Sequence, residues 1–211
     1  MKKRSFPYIW VTWLAPLLSG DRSCEYAIWF KAHYQDYETT PREWNSAKWN
    51  EDHTALLTEM RDGFSSDAIV NLEDQNAFKL QGKTAIVAGK PDLINCHGPY
   101  ADVWDAKTGK PKDSDITQIQ IYLYALPRCR PIYRNAIIKG NLRYADGQIV
   151  GVPTESVDTA FIARFGQLVR RVAGSTEARA VPSVRECGFC DIAACPYRIS
   201  NEENTGTTED F

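Results

Sequence analysis

The sequence lacks an apolar run long enough to cross a membrane, since its 211 residues contain no uninterrupted stretch of about 20 apolar residues. A basic start at positions 2–4, followed by an apolar run to Leu18, resembles part of a secretory signal. Pro7 and Pro16 interrupt that run, however, and no small-residue cleavage motif follows it. We therefore expect a cytoplasmic protein that has no contact with a membrane.

The sequence also lacks a strong charge of either sign. Its formal net charge is −2 and its isoelectric point is about 6.0, so it has no overall basic character of the kind that marks many nucleic-acid-binding proteins. Residues 201–211 hold four acidic and no basic residues, and without them 23 acidic residues stand against 25 basic ones. Because a metal site gathers acidic side chains locally, the overall charge says little about any single groove.

No internal repeat divides the chain, and its length suits one substantial hydrophobic core better than two. A hydrophobic content of 43% and a charged content of 25% are ordinary for a globular protein. We predict a single domain over residues 1–200. The tail at 201–211 has few core-forming residues, and we predict it to be a disordered acidic segment.

The spacing of apolar residues predicts helices that alternate with short strands. Thr40 and Pro41 are the predicted start of the third helix, Ser114 or Asp115 caps the fourth, and Pro127 ends it. The strands before the fourth helix have the pattern of an antiparallel meander, and the pair Asp146-Gly147 marks a later hairpin. We predict an α/β fold with a central mixed sheet. The predicted helices cover 9–18, 22–34, 41–60, 114–126 and 154–173, and the predicted strands 68–71, 77–81, 83–88, 92–96, 101–106, 131–139 and the hairpin 141–152.

Two carboxylates and a lysine stand out in the predicted sheet. Asp92 begins one predicted strand, and Asp105 and Lys107 end the next. Residues two apart on a strand project to the same face, so Asp105 and Lys107 can act on one metal ion together. If the two strands pair, Asp92 comes beside Asp105. A D-x-K run alone usually means solvated surface charges, but burial of Asp105 after a half-apolar strand would be costly without a cation.

Further polar residues accompany this group. Gln118 and Tyr122 are four apart on the following helix and share one face, which can contact a phosphate or the Lys107 amine. The alternative is an ordinary helix packing face. His53 lies on the apolar face of the third helix and points inward, either as part of a site or as a hydrogen-bonded core histidine.

Four of the six cysteines form a pattern that suggests a metal site. Cys187 and Cys190 form a C-x-x-C motif, Cys195 follows, and Cys24 is the candidate for a fourth ligand. In a reducing cytosol such cysteines more often bind metal than form disulfides. Zinc and an iron–sulfur cluster are both compatible with this set. The other two, Cys96 and Cys129, have no cysteine neighbour, and we expect them to be core or strand-end residues.

Taken in order along the chain, these motifs resemble the PD-(D/E)xK nuclease superfamily, and within it the RecB-like exonucleases that include the CRISPR-associated adaptation nuclease. The resemblance includes the four cysteines described above. It also includes an upstream histidine, a G-x-x-D segment, a D-x-K-T-G run and a Q-x-x-x-Y helix, which are His53, Gly89 to Asp92, Asp105 to Gly109, and Gln118 with Tyr122.

The resemblance implies a restriction-endonuclease-like core and a role for each matching residue. Asp92, Asp105, the Ala106 carbonyl and His53 would bind Mg²⁺ or Mn²⁺. Lys107 would position the attacking water and stabilise developing negative charge. Gln118 and Tyr122 would orient Lys107 or the scissile strand.

The resemblance also favours a [4Fe–4S] cluster over zinc. Cys24 from the N-terminal helical part and Cys187, Cys190 and Cys195 from the C-terminal segment would hold it. The cluster would then close the two ends of the chain around the nuclease core.

The function expected from the resemblance is a metal-dependent DNA exonuclease that acts mainly on single-stranded ends, in recombination, repair or CRISPR adaptation. The chain has no G-x-x-x-x-G-K-[S/T] motif, so it cannot unwind duplex DNA by ATP hydrolysis, and a helicase or CRISPR adaptation proteins are the partners implied. Two alternatives stay open, a non-catalytic cluster-bearing adaptor that binds DNA or a protein partner, and a zinc-stabilised regulatory protein.

Residues that could bind DNA also occur outside the motifs. Lysines and arginines around the D-x-K run could contact phosphates, and aromatic side chains could stack on unpaired bases. The alternative for most of the tryptophans is a place in the core. The basic candidates are Lys90, Lys110, Lys112, Arg128, Arg130 and Arg134, and the aromatic candidates are Trp29, Trp44, Trp49 and Tyr122.

Overall fold

The computed structural model describes residues 1–41, 45–66 and 68–199, and these form a mixed α/β fold. The strands are β1 (Lys2–Lys3), β2 (Tyr8–Trp10), β3 (Tyr34–Gln35), β4 (Ile69–Leu72), β5 (Phe78–Gln81), β6 (Ile86–Gly89), β7 (Leu93–His97), β8 (Tyr100–Lys107), β9 (Ile137–Tyr144) and β10 (Ile149–Val152). The helices are α1 (Val11–Ser19), α2 (Glu25–His33), α3 (Ser46–Asp62), α4 (Asp113–Cys129), α5 (Thr159–Val172) and α6 (Val184–Gly188).

The main sheet is mixed, as predicted, with the strand order β10-β9-β8-β7-β4. Its central pair, β8 and β9, is parallel, and its other pairs are antiparallel. A second sheet has the order β2-β6-β5, in which β2 and β6 are parallel. The chain passes from the second sheet to the main sheet between β6 and β7, and this junction carries Asp92.

Helix α4 packs in the centre of the molecule. It contacts α1 as well as β5 of the second sheet and β8, β9 and β10 of the main sheet. Gly140 on β9 allows this close approach, because a Cβ atom there would lie 2.1 Å from Ile119 Cγ2. The buried face of α4 includes Ile119, Ile121, Tyr122, Leu123 and Leu126. These contacts fix the position of the helix that carries Gln118 and Tyr122.

The last long helix, α5, is amphipathic in the way its sequence predicts. The Asp158 side chain accepts a hydrogen bond of 2.7 Å from the Phe161 amide and caps the helix. Phe161, Phe165 and Leu168 are buried at helical spacing on the face that packs against α1 and α2. The prediction of a helix over 154–173 was therefore correct in type, although residues 154–156 form a separate 3-10 turn.

Several predicted helix boundaries were wrong. Residues 9 and 10 belong to strand β2, so α1 begins at Val11. Helix α3 begins at Ser46 rather than Pro41, because the Asn45 side chain accepts a hydrogen bond from the Lys48 amide and caps it there. Helix α4 begins after Lys112 and continues through Pro127 to Cys129. Proline has no amide hydrogen to donate within a helix, and the final turn of α4 tolerates the one missing hydrogen bond.

The predicted meander and one predicted strand were also wrong. Strand β4 pairs with β7, whereas β5 and β6 belong to the other sheet, so the five strands are not consecutive neighbours. Apolar alternation predicts strands but does not determine which strand pairs with which. Residues 131–133 form a 3-10 turn, and β9 starts only at Ile137. The hairpin of β9 and β10 around Asp146-Gly147 was predicted correctly.

No helix in the described ranges is both long and apolar enough to span a membrane. The predicted acidic tail, residues 201–211, and Trp44 lie outside the described residues.

Candidate active site

The structure brings Asp92, Asp105 and Lys107 together. Strands β7 and β8 are antiparallel neighbours in which Leu93 is the partner of Trp104, so Asp92, one residue before β7, lies beside Asp105 on β8. Asp105 and Lys107 share one face of β8, which α4 covers. The intervening Ala106 points to the opposite face, where it packs against Leu56 and Leu57 of α3.

Asp92 is held by contacts from two sides. Its Oδ2 atom accepts a hydrogen bond of 2.7 Å from the Ala106 amide and lies 3.3 Å from His53 Nε2. The preceding segment is anchored by Asn76, a fully buried residue whose amide nitrogen donates to the carbonyl oxygens of Pro91 and Asn71 at 3.1 and 2.9 Å. The Asp92 carboxylate is therefore fixed before any ligand binds.

Asp105 is a buried carboxylate, only 2% exposed, with a neighbour on each oxygen. Gln118 Nε2 donates to Oδ1 at 2.7 Å, and Lys107 Nζ lies 2.6 Å from Oδ2. Burial raises the pKa of Asp105 to about 6, and the attraction of Lys107 opposes that rise. A carboxylate in this position gains from a bound cation, because a cation offsets the cost of its desolvation.

The Lys107 amine lies among three acceptors. Besides Asp105 Oδ2, it donates to Gln118 Oε1 at 3.2 Å and lies 3.6 Å from Asp115 Oδ1. Burial alone would lower the pKa of Lys107, but the surrounding carboxylates outweigh burial and raise it. In metal-free protein the site therefore favours the charged, ammonium form of Lys107.

Gln118 and Tyr122 connect Lys107 to the second sheet. Gln118 Nε2 also donates to the Tyr122 hydroxyl at 3.0 Å, and that hydroxyl donates to the Lys90 carbonyl at 3.4 Å. Tyr122 is 1% exposed, and burial raises its pKa well above the ordinary value. Gly89 leaves room for it, because a Cβ atom there would lie 2.8 Å from the Tyr122 ring. The amide and the phenol thus act as one hydrogen-bonded unit with Asp105.

His53 reaches the site from α3. Its ring stacks on Trp49, with 4.8 Å between the ring centroids and 17° between the planes. The contact with Asp92 raises the pKa of His53, and burial partly opposes that effect. His53 is thus neither a distant residue nor a simple core histidine, because its Nε2 atom faces the same carboxylate that Ala106 contacts.

These side chains line one cleft of about 750 Å³. Lys90, Lys110 and Lys112 are exposed at this cleft, as the sequence analysis anticipated for basic residues near the D-x-K run. Trp10 and Trp49 also line it and are each 38% exposed. The cleft is therefore lined by carboxylates together with exposed basic and aromatic side chains.

Other proposed DNA-binding residues do not line this cleft. Trp29 is buried, and its indole nitrogen donates to the Gly174 carbonyl at 2.9 Å, so it is a core residue. Arg128 lies over the Tyr124 ring, and Arg130 donates to the carbonyl oxygens of Ala77 and Gln75. The cleft lining among the described residues does not include Arg134.

Two residues that support the site, Asp115 and Asn76, belong to none of the sequence motifs. Asp115 is 8% exposed and lies beside Lys107, but its sequence position suggested only a helix cap. Asn76 anchors the chain before Asp92, although an asparagine in a turn carries no sequence signal for such a role. No sequence signal distinguishes Asp115 from Ser114, Thr117 and Gln118, which are polar and buried on α4 as well.

The four cysteines of the predicted cluster lie around a second, smaller cavity of about 80 Å³. Cys24 precedes α2, and Cys187, Cys190 and Cys195 come from the C-terminal segment. Burial raises the pKa of Cys195, and the three other thiols raise it further. The Arg198 guanidinium donates to the carbonyl oxygens of Cys187 and Cys190, at 3.1 and 2.7 Å, and so holds this loop together.

Cys96 and Cys129 are separate from this group, as expected. The thiol of Cys129 donates to the Ala125 carbonyl one helical turn earlier, at 3.1 Å. Cys96 lies on β7 in contact with Tyr133, and burial raises its pKa.

Within the described ranges, no three His, Cys, Asp or Glu side chains converge closely enough to enclose one metal ion by themselves. This finding is compatible with Mg²⁺ or Mn²⁺ at the carboxylates, because such ions are commonly held by one or two carboxylates together with water and substrate phosphates. The oxygen donors of Asp92 and Asp105 suit these hard cations.

Comparison with known proteins identifies a family. A model of the PD-(D/E)XK nuclease superfamily matches residues 19–198. Among 17 matching chains of solved structures, the crystal structure of SSO0001 aligns with 95% of this chain and 90% of its own, at a TM-score of 0.50 and 17% identity. This identity is low enough that the likeness shows the fold alone. The curated proteins include no match to this sequence.

Proposed function

This chain belongs to the PD-(D/E)XK nuclease superfamily, and on that basis we propose that it is a metal-dependent deoxyribonuclease whose active site is built on Asp92, Asp105 and Lys107. The observation that carries the proposal is the convergence of two carboxylates and an ammonium group in one cleft, with Lys107 Nζ 2.6 Å from Asp105 Oδ2. A buried carboxylate with a raised pKa is typical of functional sites.

The proposed metal ligands are the carboxylates of Asp92 and Asp105, with the Ala106 carbonyl and His53 as further ligands. Bound Mg²⁺ or Mn²⁺ supplies Lewis-acid activation of water and of the scissile phosphate. The buried carboxylate of Asp105 supports this assignment, since a bound cation would offset the cost of its burial.

Lys107 lies where a positive charge would stabilise the negative charge that develops on the scissile phosphate. Its ammonium is held by Asp105 and Gln118 and is only about 20% exposed, so its orientation is set before substrate binds. A preorganised charge in a partly desolvated cleft stabilises a phosphorane-like transition state better than a solvated one does. Gln118 and Tyr122 keep the amine in place through their hydrogen bonds.

We propose a DNA strand with a free, unpaired end as the substrate. The exposed lysines of the cleft can contact phosphates, and the exposed rings of Trp10 and Trp49 offer stacking surfaces for bases. Since these 211 residues carry no ATP-hydrolysis motif, a helicase or proteins of CRISPR adaptation would have to supply opened DNA.

We also propose a [4Fe–4S] cluster held by Cys24, Cys187, Cys190 and Cys195. The support is their common cavity and the joining of the two ends of the chain there. Four thiols around one cavity suit zinc as well as a cluster, and the resemblance to the RecB-like exonucleases favours the cluster. Metal analysis of anaerobically purified protein tests this, because iron supports the cluster and zinc without iron contradicts it.

The nuclease is tested with end-labelled single-stranded and duplex DNA in Mn²⁺ or Mg²⁺, using parent protein and Lys107→Ala. We expect metal-dependent cleavage of the single strand, shortened stepwise from one end, and a loss of about 10²- to 10³-fold in kcat for the variant. If the parent binds DNA but does not cleave it in any metal, the adaptor function would replace this proposal.

A further inference from the structure

Asp115 lies beside the proposed active site but belongs to none of the motifs that define it. It is the third residue of α4, its side chain is 11% exposed, and its two oxygen atoms face different neighbours. Oδ2 accepts hydrogen bonds from the Lys112 amide at 3.0 Å and from the Tyr144 hydroxyl at 3.1 Å. Oδ1 lies 3.6 Å from Lys107 Nζ.

The helix-capping role of Asp115 does not account for all of these contacts. The hydrogen bond from the Lys112 amide is that of a capping box, and only the Oδ2 atom of Asp115 accepts it. Tyr144, on β9, is 2% exposed and donates to the same oxygen, which fixes the carboxylate from the side of the sheet. With Oδ2 held twice, the remaining oxygen is directed at the amine.

The 3.6 Å separation is too long for a good hydrogen bond, so the contact is an ion pair. In a partly desolvated cleft, an ion pair at this distance is stronger than it would be in bulk water. It also comes from a different direction than Asp105, because Asp115 is on α4 and Asp105 on β8. The amine is thus held between two carboxylates from two elements.

We propose that Asp115, held by Tyr144, is a positioning residue for Lys107. This inference rests on the proposed nuclease function. If the Asp105 carboxylate also holds a metal ion, the amine keeps Gln118 as its neutral hydrogen-bond acceptor and Asp115 as its second negative partner. Asp115 would then supply the charge that keeps the ammonium directed at the scissile phosphate. Asp115 acts through Lys107 and does not itself contact substrate.

The test uses Asp115→Asn, which keeps an oxygen acceptor for Lys112 and Tyr144 but removes the charge that faces Lys107. We expect kcat to fall about 10- to 100-fold with KM nearly unchanged, because the loss affects an interaction made in the transition state. Tyr144→Phe should lower kcat by a smaller factor, about 2- to 10-fold. The matched control is Asp113→Asn, which removes an exposed charge from the same first turn and should leave kcat unchanged.

A double variant separates positioning from a merely structural effect. In a Lys107→Ala background, Asp115→Asn should lower kcat by no more than about twofold, because the group through which it acts is gone. If the two losses multiply instead, Asp115 does not act through Lys107 and the proposal fails. Thermal melting of both single variants shows whether they remain folded.

A second measurement tests the positioning role of Asp115 without measuring catalysis, so its result does not depend on nuclease activity. Lysine labelling by reductive methylation, followed by mass spectrometry, reports how tightly each amine is held in metal-free protein. Lys107 should be labelled faster in Asp115→Asn than in the parent or in Asp113→Asn. Equal labelling would overturn the positioning role even if the parent is an active nuclease, and faster labelling would support it even if no cleavage is found.

Discussion

Gly140 offers a sharp test of how the fold holds the site, because this glycine determines how closely α4 approaches the main sheet. A Cβ atom at Gly140 would lie 2.1 Å from Ile119 Cγ2 and 3.3 Å from both Leu123 and Val152. An ordinary contact begins at 3.4 Å, so the added methyl group is short of space by about 1.3 Å at Ile119. Ile119 is fully buried and β-branched, and its side chain has little freedom to turn away.

We therefore expect Gly140→Ala to push α4 away from β9. Overpacking of this kind lowers the free energy of unfolding by about 1–3 kcal/mol. Gln118 precedes Ile119 directly, so a displacement on the order of 1 Å would also separate its amide from Asp105 and Lys107. A misplacement of that size in a catalytic group can lower kcat about 100-fold.

Denaturant unfolding and single-strand cleavage would be measured on the same preparations. Gly151→Ala is the matched control, since Gly151 lies on the neighbouring strand β10 and a Cβ atom there meets nothing within 4 Å. Ile119→Ala removes the clashing methyl group, so the double variant should lose less stability than the sum of the two single variants. If Gly140→Ala is as stable and active as Gly151→Ala, the described packing of α4 is wrong.

Three further predictions concern the site and its supports. Mn²⁺ at about 100 times its Kd should raise the free energy of unfolding of the parent by about 2.7 kcal/mol, as measured by calorimetry. Asp92→Asn should lose most of this gain. An equal gain in both proteins would contradict the assignment of Asp92 as a metal ligand. The pKa of His53 is raised in the folded protein, so charged His53 stabilises the fold below its ordinary pKa of 6.5, and this stabilisation is lost as pH rises through the raised pKa. The free energy of unfolding of metal-free protein should therefore fall between about pH 6 and pH 8, and it should fall less in His53→Gln. Asn76→Ala should lower the free energy of unfolding by about 1–3 kcal/mol, because it leaves the buried Pro91 carbonyl without its donor; an unchanged denaturant midpoint would contradict the anchoring role.

The sequence was most informative where chemistry and spacing act locally. The apolar face of α5, the Asp146-Gly147 hairpin and the pairing of the strand that follows Asp92 with the strand that carries Asp105 all depend on neighbouring residues. Each was predictable because the local pattern has few structural alternatives. The i, i+4 spacing of Gln118 and Tyr122 likewise predicted that they share one helix face, and the two side chains are hydrogen-bonded in the structure.

The sequence was least informative about long-range pairing and buried polar contacts. Nothing in the alternation of β5 and β6 shows that they pair with each other in a separate sheet, in which β6 also pairs with β2. The contact between Asp115 and Lys107 depends on how α4 crosses β8, and that crossing is set by packing at Gly140 and Ile119. Competing helix starts, such as Pro41 and Asn45, are decided by small differences in capping energy that a single sequence does not rank.

The most direct test of the central claim is the cleavage of end-labelled single-stranded DNA by the parent protein and by Asp105→Asn, each with Mn²⁺ and with a chelator. We expect cleavage only by the parent and only with metal, and we expect Asp105→Asn to remain folded by circular dichroism. Cleavage that persists in folded Asp105→Asn, or that is indifferent to the chelator, would contradict an active site built on Asp92, Asp105 and Lys107.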